Sequence, residues 1–256
     1  MFLWKSIAYG PVFSRRLGYS LGLNILPAGR KVCNFNCVYC ECGLNDPTGK
    51  KVPLPTVQEF TRELEERLRE MKREGRRIDT LTFAGNGEPT LHPHFKRIIE
   101  TALRLRDDYY PQAAVAVLSD AATLHHEHVL EALLMVDKPI MKIDAGSEEM
   151  FRKIAQPVTN ITLAEIVERM TAFDGKLIIQ SLFFRGNAGG VEIDNTTSDE
   201  ISGMIEHYRN ASPELIMVYC IDREPPFPGL EKLPEKELIR IADTIRKAGF
   251  DVEHFG

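Results

Sequence analysis

Six short apolar runs recur along this chain, each followed by a stretch patterned as a helix. That alternation restricts the architecture more than any single motif does. The runs are SLGLNIL (20–26), IDTLTFAG (78–85), AAVAVLS (113–119), PIMKIDA (139–145), KLIIQSLFF (176–184) and ELIMVYCI (214–221). Between the first two, Val57, Phe60, Leu64, Leu68 and Met71 fall on one helical stripe. That segment opens with Thr56 and Glu59 at capping-box spacing and ends at Gly75. Thr162 and Glu165 repeat the box ahead of a helix over 162–173, and a last helix runs from Pro234 through Leu238, Ile241 and Ile245 to Gly249. Further helices are expected over 92–108, 126–136, from Ser147 and over 199–210, with DVEHF (251–255) as a closing strand.

Strict alternation implies a parallel sheet with right-handed crossovers, the α/β class. Curled, six such units make a partial (β/α)6 parallel barrel; an open doubly wound sheet is the alternative. With no internal repeat, low-complexity tract or linker, one domain is expected over 1–256. It carries an N-terminal arm at 1–19 and a loop at 27–43. In either architecture ligands gather where the strands end, and the polar residues that interrupt the apolar runs sit there. GNGEP (85–89) follows the second run, and Ser119 and Asp120 follow the third. Lys142 and Asp144 end the fourth with the strand parity of Ile140, Gln180 lies in the fifth, and Asp222 and Arg223 follow the sixth. Asn24 in the first run, and Arg15 and Arg16 just ahead of it, join this group. A guanidinium pair suits a carboxylate or phosphate, and equally a solvated arm.

The loop after the first run reads CNFNCVYC (33–40) and spends three of five cysteines in eight residues. Five is an odd count, there is no export signal, and no apolar run is long enough to span a bilayer, so a disulfide framework is a poor reading. A cytoplasmic chain with reduced thiols is expected. The net charge of −5 argues against a dedicated nucleic-acid binder. Incidental thiols, a zinc site recruiting Cys42 as fourth ligand, and a [4Fe–4S] cluster held by three thiolates compete for Cys33, Cys37 and Cys40. The third leaves one iron open. His125 and His128 in HHEH lack a companion ligand and suit a helix start at the surface.

CxxxCxxC with an aromatic before its last cysteine, followed by GNGEP after the next strand, resembles the radical S-adenosylmethionine (SAM) superfamily. The stretches YGPVFSRRLGYSLGLNILPAGRKVCNFNCVYCECG, FAGNGEPTLHPHF and YCIDREPPFPGL resemble a poorly characterised group related to wyosine-forming tRNA enzymes. The resemblance implies a [4Fe–4S] cluster on Cys33, Cys37 and Cys40, with SAM on the open iron. It implies an electron from a donor such as flavodoxin or ferredoxin, and a 5′-deoxyadenosyl radical that abstracts hydrogen from a substrate. Tyr39 would lie against the adenine. Gly85, Asn86, Gly87 and Glu88 would receive the SAM amino group, and Ser119, Asp120 and Gln180 would complete the cofactor site. Lys142 and Asp144 would meet SAM or substrate, and Asp222 and Arg223, ahead of EPPFPG, would wall the substrate pocket. Cys42 and Cys220 cannot hold a conventional second cluster, unlike the wyosine-forming enzymes. Cys220 is read either as a buried apolar residue or as a thiol facing the barrel interior. The expected substrate is a small molecule or nucleoside. The alternatives are tRNA modification, activation of a glycyl-radical enzyme, and a non-catalytic zinc-stabilised binding protein.

Overall fold

The computed structural model describes residues 2–48 and 52–256, so Met1 of the expected arm lies outside the described residues. In chain order the elements begin with β1 (Ala8–Ser14), β2 (Gly18–Leu23), α1 (Val57–Arg73), β3 (Thr80–Phe83), α2 (Phe95–Tyr109), β4 (Ala114–Ser119) and α3 (Glu127–Met135). They continue with β5 (Lys138–Lys142), α4 (Glu148–Ala155), α5 (Leu163–Met170), β6 (Ile178–Ala188), β7 (Val191–Asp194) and α6 (Ser198–Ala211). The last are β8 (Leu215–Cys220), β9 (Leu230–Lys232), α7 (Glu235–Lys247) and β10 (Val252–Phe255).

The main path of the sheet runs β1-β2-β3-β4-β5-β6-β8-β10. The six expected strands are β2, β3, β4, β5, β6 and β8, each parallel to the next. The closing strand is β10, parallel to β8. This is the partial barrel expected from the alternation. Both capping boxes form, at Thr56 with Glu59 and at Thr162 with Glu165. Ser147 caps α4.

Three strands escape the alternation. Residues 8–14, expected as an arm, pair antiparallel with β2 from Ala8 opposite Leu23 to Ser14 opposite Gly18. Gly10 and Pro11 interrupt the apolar pattern there, and the pairing shifts register between Tyr9 and Val12. An edge strand tolerates such residues because its outer side needs no ladder partner. The other two, β7 and β9, pair antiparallel with the far end of β6.

Side chains alternate across the sheet as the pleat requires. Leu21, Leu23, Leu81, Phe83, Val115, Val117, Met141, Ile179, Ile216 and Val218 face the helices and make the main core. On the concave side, Leu17, Ala116, Ile140, Ile178 and Met217 pack together at the end where the parallel strands begin. A complete eight-stranded barrel fills its interior with layers of side chains. Here only that lower layer is filled, and the mouth stays open.

Asn195, buried after β7, ties the β6 side of the mouth together. Its Oδ1 accepts from Phe184 N at 2.9 Å, and its Nδ2 donates to Asp144 O at 2.8 Å and Leu182 O at 2.7 Å. Asn195→Ala leaves all three backbone groups without this partner. The expected loss is about 2–4 kcal/mol, read from the urea midpoint at unchanged slope. A loss near zero would show that the three groups find other partners.

Candidate active site

The cysteine loop leaves β2 and folds back over the strand ends, where backbone pairing holds it on two sides. On one side Val32 N donates to Asn86 O and Glu88 N donates to Val32 O, both at 2.9 Å. A Cβ on Gly87 would lie 1.9 Å from Val32 O, and the residue has φ +130°, so this approach requires glycine. On the other side Val158 N donates to Asn34 O at 2.9 Å, and Val38 N donates to Ile154 O at 3.0 Å. Asn45 braces the loop from within, accepting from Cys33 N at 2.9 Å and donating to Cys33 O at 3.0 Å.

Cys37 is buried, and Cys33 and Cys40 are half-buried. Two lysines stand beside them. Lys142 Nζ donates to Cys37 Sγ at 3.4 Å. Lys31 is 3% exposed, and its Nζ donates to Gly43 O at 3.0 Å. Burial opposes the Lys31 charge, but Cys40, Cys33 and Cys37 outweigh it and hold its pKa above the usual value. The Cys40 thiol is lowered to about 6, by the hydrogen bond from Cys42 and then by Lys31 against the cost of burial. Burial pushes Cys33 and Cys37 up. Among the described residues no three His, Cys, Asp or Glu side chains gather closely enough for one metal ion. The donor set is three thiols on a single braced loop, flanked by buried Lys31 and half-buried Lys142. It fits a thiolate-bound group that carries negative charge and is wider than a single ion. Cys42 lies beside Cys40, and its Sγ also comes within 3.2 Å of Gly85 O. Sequence reasoning misses Lys31, whose one signal is a lysine two positions ahead of the first cysteine.

GNGEP acts largely as a brace. A Cβ on Gly85 would sit 2.4 Å from Asn24 Oδ1. Asn86 is fully engaged: its Nδ2 donates to Trp4 O and Pro27 O, its Oδ1 accepts from Trp4 N, and its backbone N donates to Asn24 Oδ1. Both amide hydrogens of its side chain are therefore taken up within the protein. Glu88 is buried, accepting from Thr90 N and Oγ1 through one oxygen and from Asp120 N through the other at 2.6 Å. Burial and the Asp120 charge push its carboxyl up to about 8. Asp120 reaches the cysteine loop, 3.7 Å from Cys33 Sγ, and accepts from Asn34 Nδ2 at 3.2 Å. Burial raises its pKa as well. Ser119 Oγ accepts from Ala121 N and shapes the turn after β4.

Lys142 and Asp144 do share a face, with an ion pair of 3.2 Å. Tyr39 OH donates to Asp144 Oδ2, and Leu182 N donates to Asp144 Oδ1 at 2.8 Å. The Tyr39 ring meets Phe184 edge-on at 5.5 Å. Burial, followed by the Asp144 charge, raises the phenol well above its usual pKa. Gln180 Oε1 accepts from Arg16 Nη1 at 2.6 Å. A cavity of about 730 Å3 occupies the barrel mouth, with Tyr39, Cys40, Cys42, Gly85, Arg16 and Tyr219 among its walls.

Asp222 and Arg223 stand exposed on the rim, paired with Arg15 at 3.2 Å and Glu41 at 2.6 Å. Cys220 borders the cavity, but it is buried and packs with Ile216 and Val218 in the main core. Alternation along β8 accounts for this, since Tyr219 takes the concave face. His126 begins α3, with His125 and His128 exposed around it. No helix among the described residues is long and apolar enough to cross a membrane.

A UPF0026 protein of Methanocaldococcus jannaschii is 34% identical over 182 residues, covering 69% of this chain and 54% of the relative. The match thus spans about half of that relative's length. Among solved structures, a radical SAM methyltransferase from Sphaerobacter thermophilus superposes with a TM-score of 0.65 at 12% identity, covering 92% of this chain and 65% of that one. The structure of anSMEcpe with bound AdoMet superposes with a TM-score of 0.59 at 14% identity, covering 91% and 63%. At such identities the likeness concerns the fold. The family model of the radical SAM superfamily matches residues 31–186, more than half of the chain. Cys33, Cys37, Cys40, GNGEP and strands β3 to β5 all fall inside that span, and the chain belongs to the radical SAM superfamily, enzymes built on a [4Fe–4S] cluster and SAM.

Proposed function

We propose that Cys33, Cys37 and Cys40 hold the cluster, and that the enzyme removes a hydrogen atom from a small molecule or nucleoside bound in the barrel mouth. The observation that carries this reading is the placement of the three thiols. They lie on one doubly tethered loop at the strand ends, and Cys40 and Tyr39 wall a cavity of about 730 Å3. When bound, the cluster and SAM supply a 5′-deoxyadenosyl radical able to attack an unactivated C–H bond, given one electron from a donor such as flavodoxin or ferredoxin.

The chain's own residues orient, shield and balance charge. Lys31 and Lys142 offset the negative charge of gathered thiolates, which would otherwise repel one another in a poorly solvated site. Tyr39, fixed by Asp144 and Phe184, offers a flat apolar face between loop and cavity where an adenine can rest. Glu88 and Asp120 share one hydrogen-bonded unit beside Cys33 and hold the turn after β4 against the cysteine loop. The cavity volume suits a small molecule, since ligand sites usually span about 300–1,000 Å3. A reducing, cytoplasmic setting is consistent with free thiols.

Reconstituted without oxygen, the wild-type protein should be brown and form 5′-deoxyadenosine when reduced with SAM. Cys33→Ala, Cys37→Ala and Cys40→Ala should each lose cluster iron and reduce that product below detection. Cys42→Ala should keep its iron, because Cys33, Cys37 and Cys40 complete the proposed ligand set; iron loss there would overturn the ligand assignment. Removing the buried cation in Lys31→Met should make the cluster harder to reduce. The midpoint in an EPR-monitored titration should fall by on the order of 100 mV, the size expected for a unit charge several ångströms away at an effective dielectric near 20. An unchanged midpoint would mean that Lys31 serves the loop's shape alone.

A further inference from the structure

Arg16 sits in the turn between β1 and β2, at the end of the barrel where the parallel strands begin. Ser14 Oγ accepts from Arg16 N at 3.3 Å and from Leu17 N at 3.2 Å, and Thr80 Oγ1 donates to Leu17 O at 2.8 Å. Leu17 is wedged among Ala116, Ile140, Ile178 and Met217. The backbone beneath Arg16 is therefore pinned to the floor of the cavity. From there the guanidinium crosses the concave face, with Nη1 donating to Gln180 Oε1 at 2.6 Å and Cζ lying 4.3 Å above the Tyr219 ring.

Both partners are neutral. Four cationic side chains line the cavity (Arg15, Arg16, Arg223 and Lys232) against two acidic ones, Glu41 and Asp222. Arg15 and Arg223 are matched by those two acids at the rim. The unmatched cations are Lys232, which is exposed, and Arg16, which is half-buried. A guanidinium taken partly out of water without a counter-charge is left under-compensated. Arg16 has five N–H donors; it reaches Gln180 through one nitrogen and Tyr219 through both ring and hydroxyl, contacts that set the plane of the fork and leave donors unused. A fixed, half-desolvated fork with donors to spare suits an oxyanion, which it can bind through two parallel hydrogen bonds.

Building on the proposed cavity reading, we infer that the substrate carries a carboxylate or phosphate monoester and that Arg16 binds it. Arg16 enters at the start of β2 and the cysteine loop leaves its end, so an anchor at Arg16 turns the rest of the substrate toward Cys40 and Tyr39. Gln180 is then a positioning residue that holds the fork. The low interior polarity that makes an unmatched cation costly also strengthens its grip on an incoming anion.

The test is calorimetric titration of inorganic phosphate and of acetate into cluster-loaded protein saturated with SAM, with no reductant present. Wild type should bind at least one probe saturably at a single site. Arg16→Met should weaken that binding by about tenfold to a hundredfold, the loss expected for a charge-assisted pair of hydrogen bonds. Arg16→Lys, which keeps the charge without the fork, should fall in between. Gln180→Leu should weaken binding about three- to tenfold and keeps the test decisive if Arg16→Met folds poorly. Arg209→Met, at an exposed position of α6, should change it less than about twofold. Tighter phosphate binding assigns a phosphoryl substrate, and tighter acetate binding a carboxylate one. No saturable binding of either probe, wild-type affinity in Arg16→Met, or loss of the site on SAM saturation would each overturn the inference. The titration needs no electron, so its outcome is independent of whether SAM is cleaved.

Discussion

The close approach of two backbones at Val32 and Gly87 is the constraint on which the site depends. No side chain fits between them, so the cysteine loop lies directly on GNGEP and exchanges hydrogen bonds with Asn86 and Glu88. That contact converts a long excursion after β2 into a fixed platform. It also brings Cys33 beside Asp120 and Cys42 beside Gly85, joining the ends of β2, β3 and β4 into one surface. Asn86, with every polar group engaged, clamps the N-terminal residues onto the same surface through Trp4. A motif of this kind works through its backbone, and its side chains serve mainly to hold the backbone in place.

Charge is handled differently at the two ends of the cavity. Near the cysteines, Lys142, Asp144 and Tyr39 form one paired network, while buried Lys31 donates to Gly43 O. Buried charges are tolerated when paired and hydrogen-bonded, and such networks resist rearrangement because a half-broken one is worse than none. At the floor, Arg16 has only the neutral side chains of Gln180 and Tyr219. The first end is complete in the protein alone apart from its cluster, while the second is complementary to something from outside.

Much of the plan is legible in the linear order of residues. The parallel order follows from alternation, and the helix starts follow from Thr56 with Glu59, Thr162 with Glu165, and Ser147, because capping is a local interaction across three residues. The shared face of Lys142 and Asp144 follows from strand parity. What is not legible has a common cause. Gln180 and Arg16 lie 164 residues apart, and nothing local links them. The isolation of Lys31 from solvent depends on how the loop closes over it. The engagement of Glu88 with Thr90 and Asp120, rather than with an open pocket, depends on where β4 ends. Strand β1 is hidden because Gly10 and Pro11 break the pattern by which strands are read, although the edge of a sheet accepts them.

The sequence by itself determined the class of fold and the family, because periodicity, capping and motif spacing act over a few residues of continuous chain. The tertiary structure alone decided which polar residues brace and which remain available, which cations are matched, and that the barrel mouth is open above a filled floor. Those outcomes depend on burial and on partners distant in sequence, and both exist only once the sheet has curled.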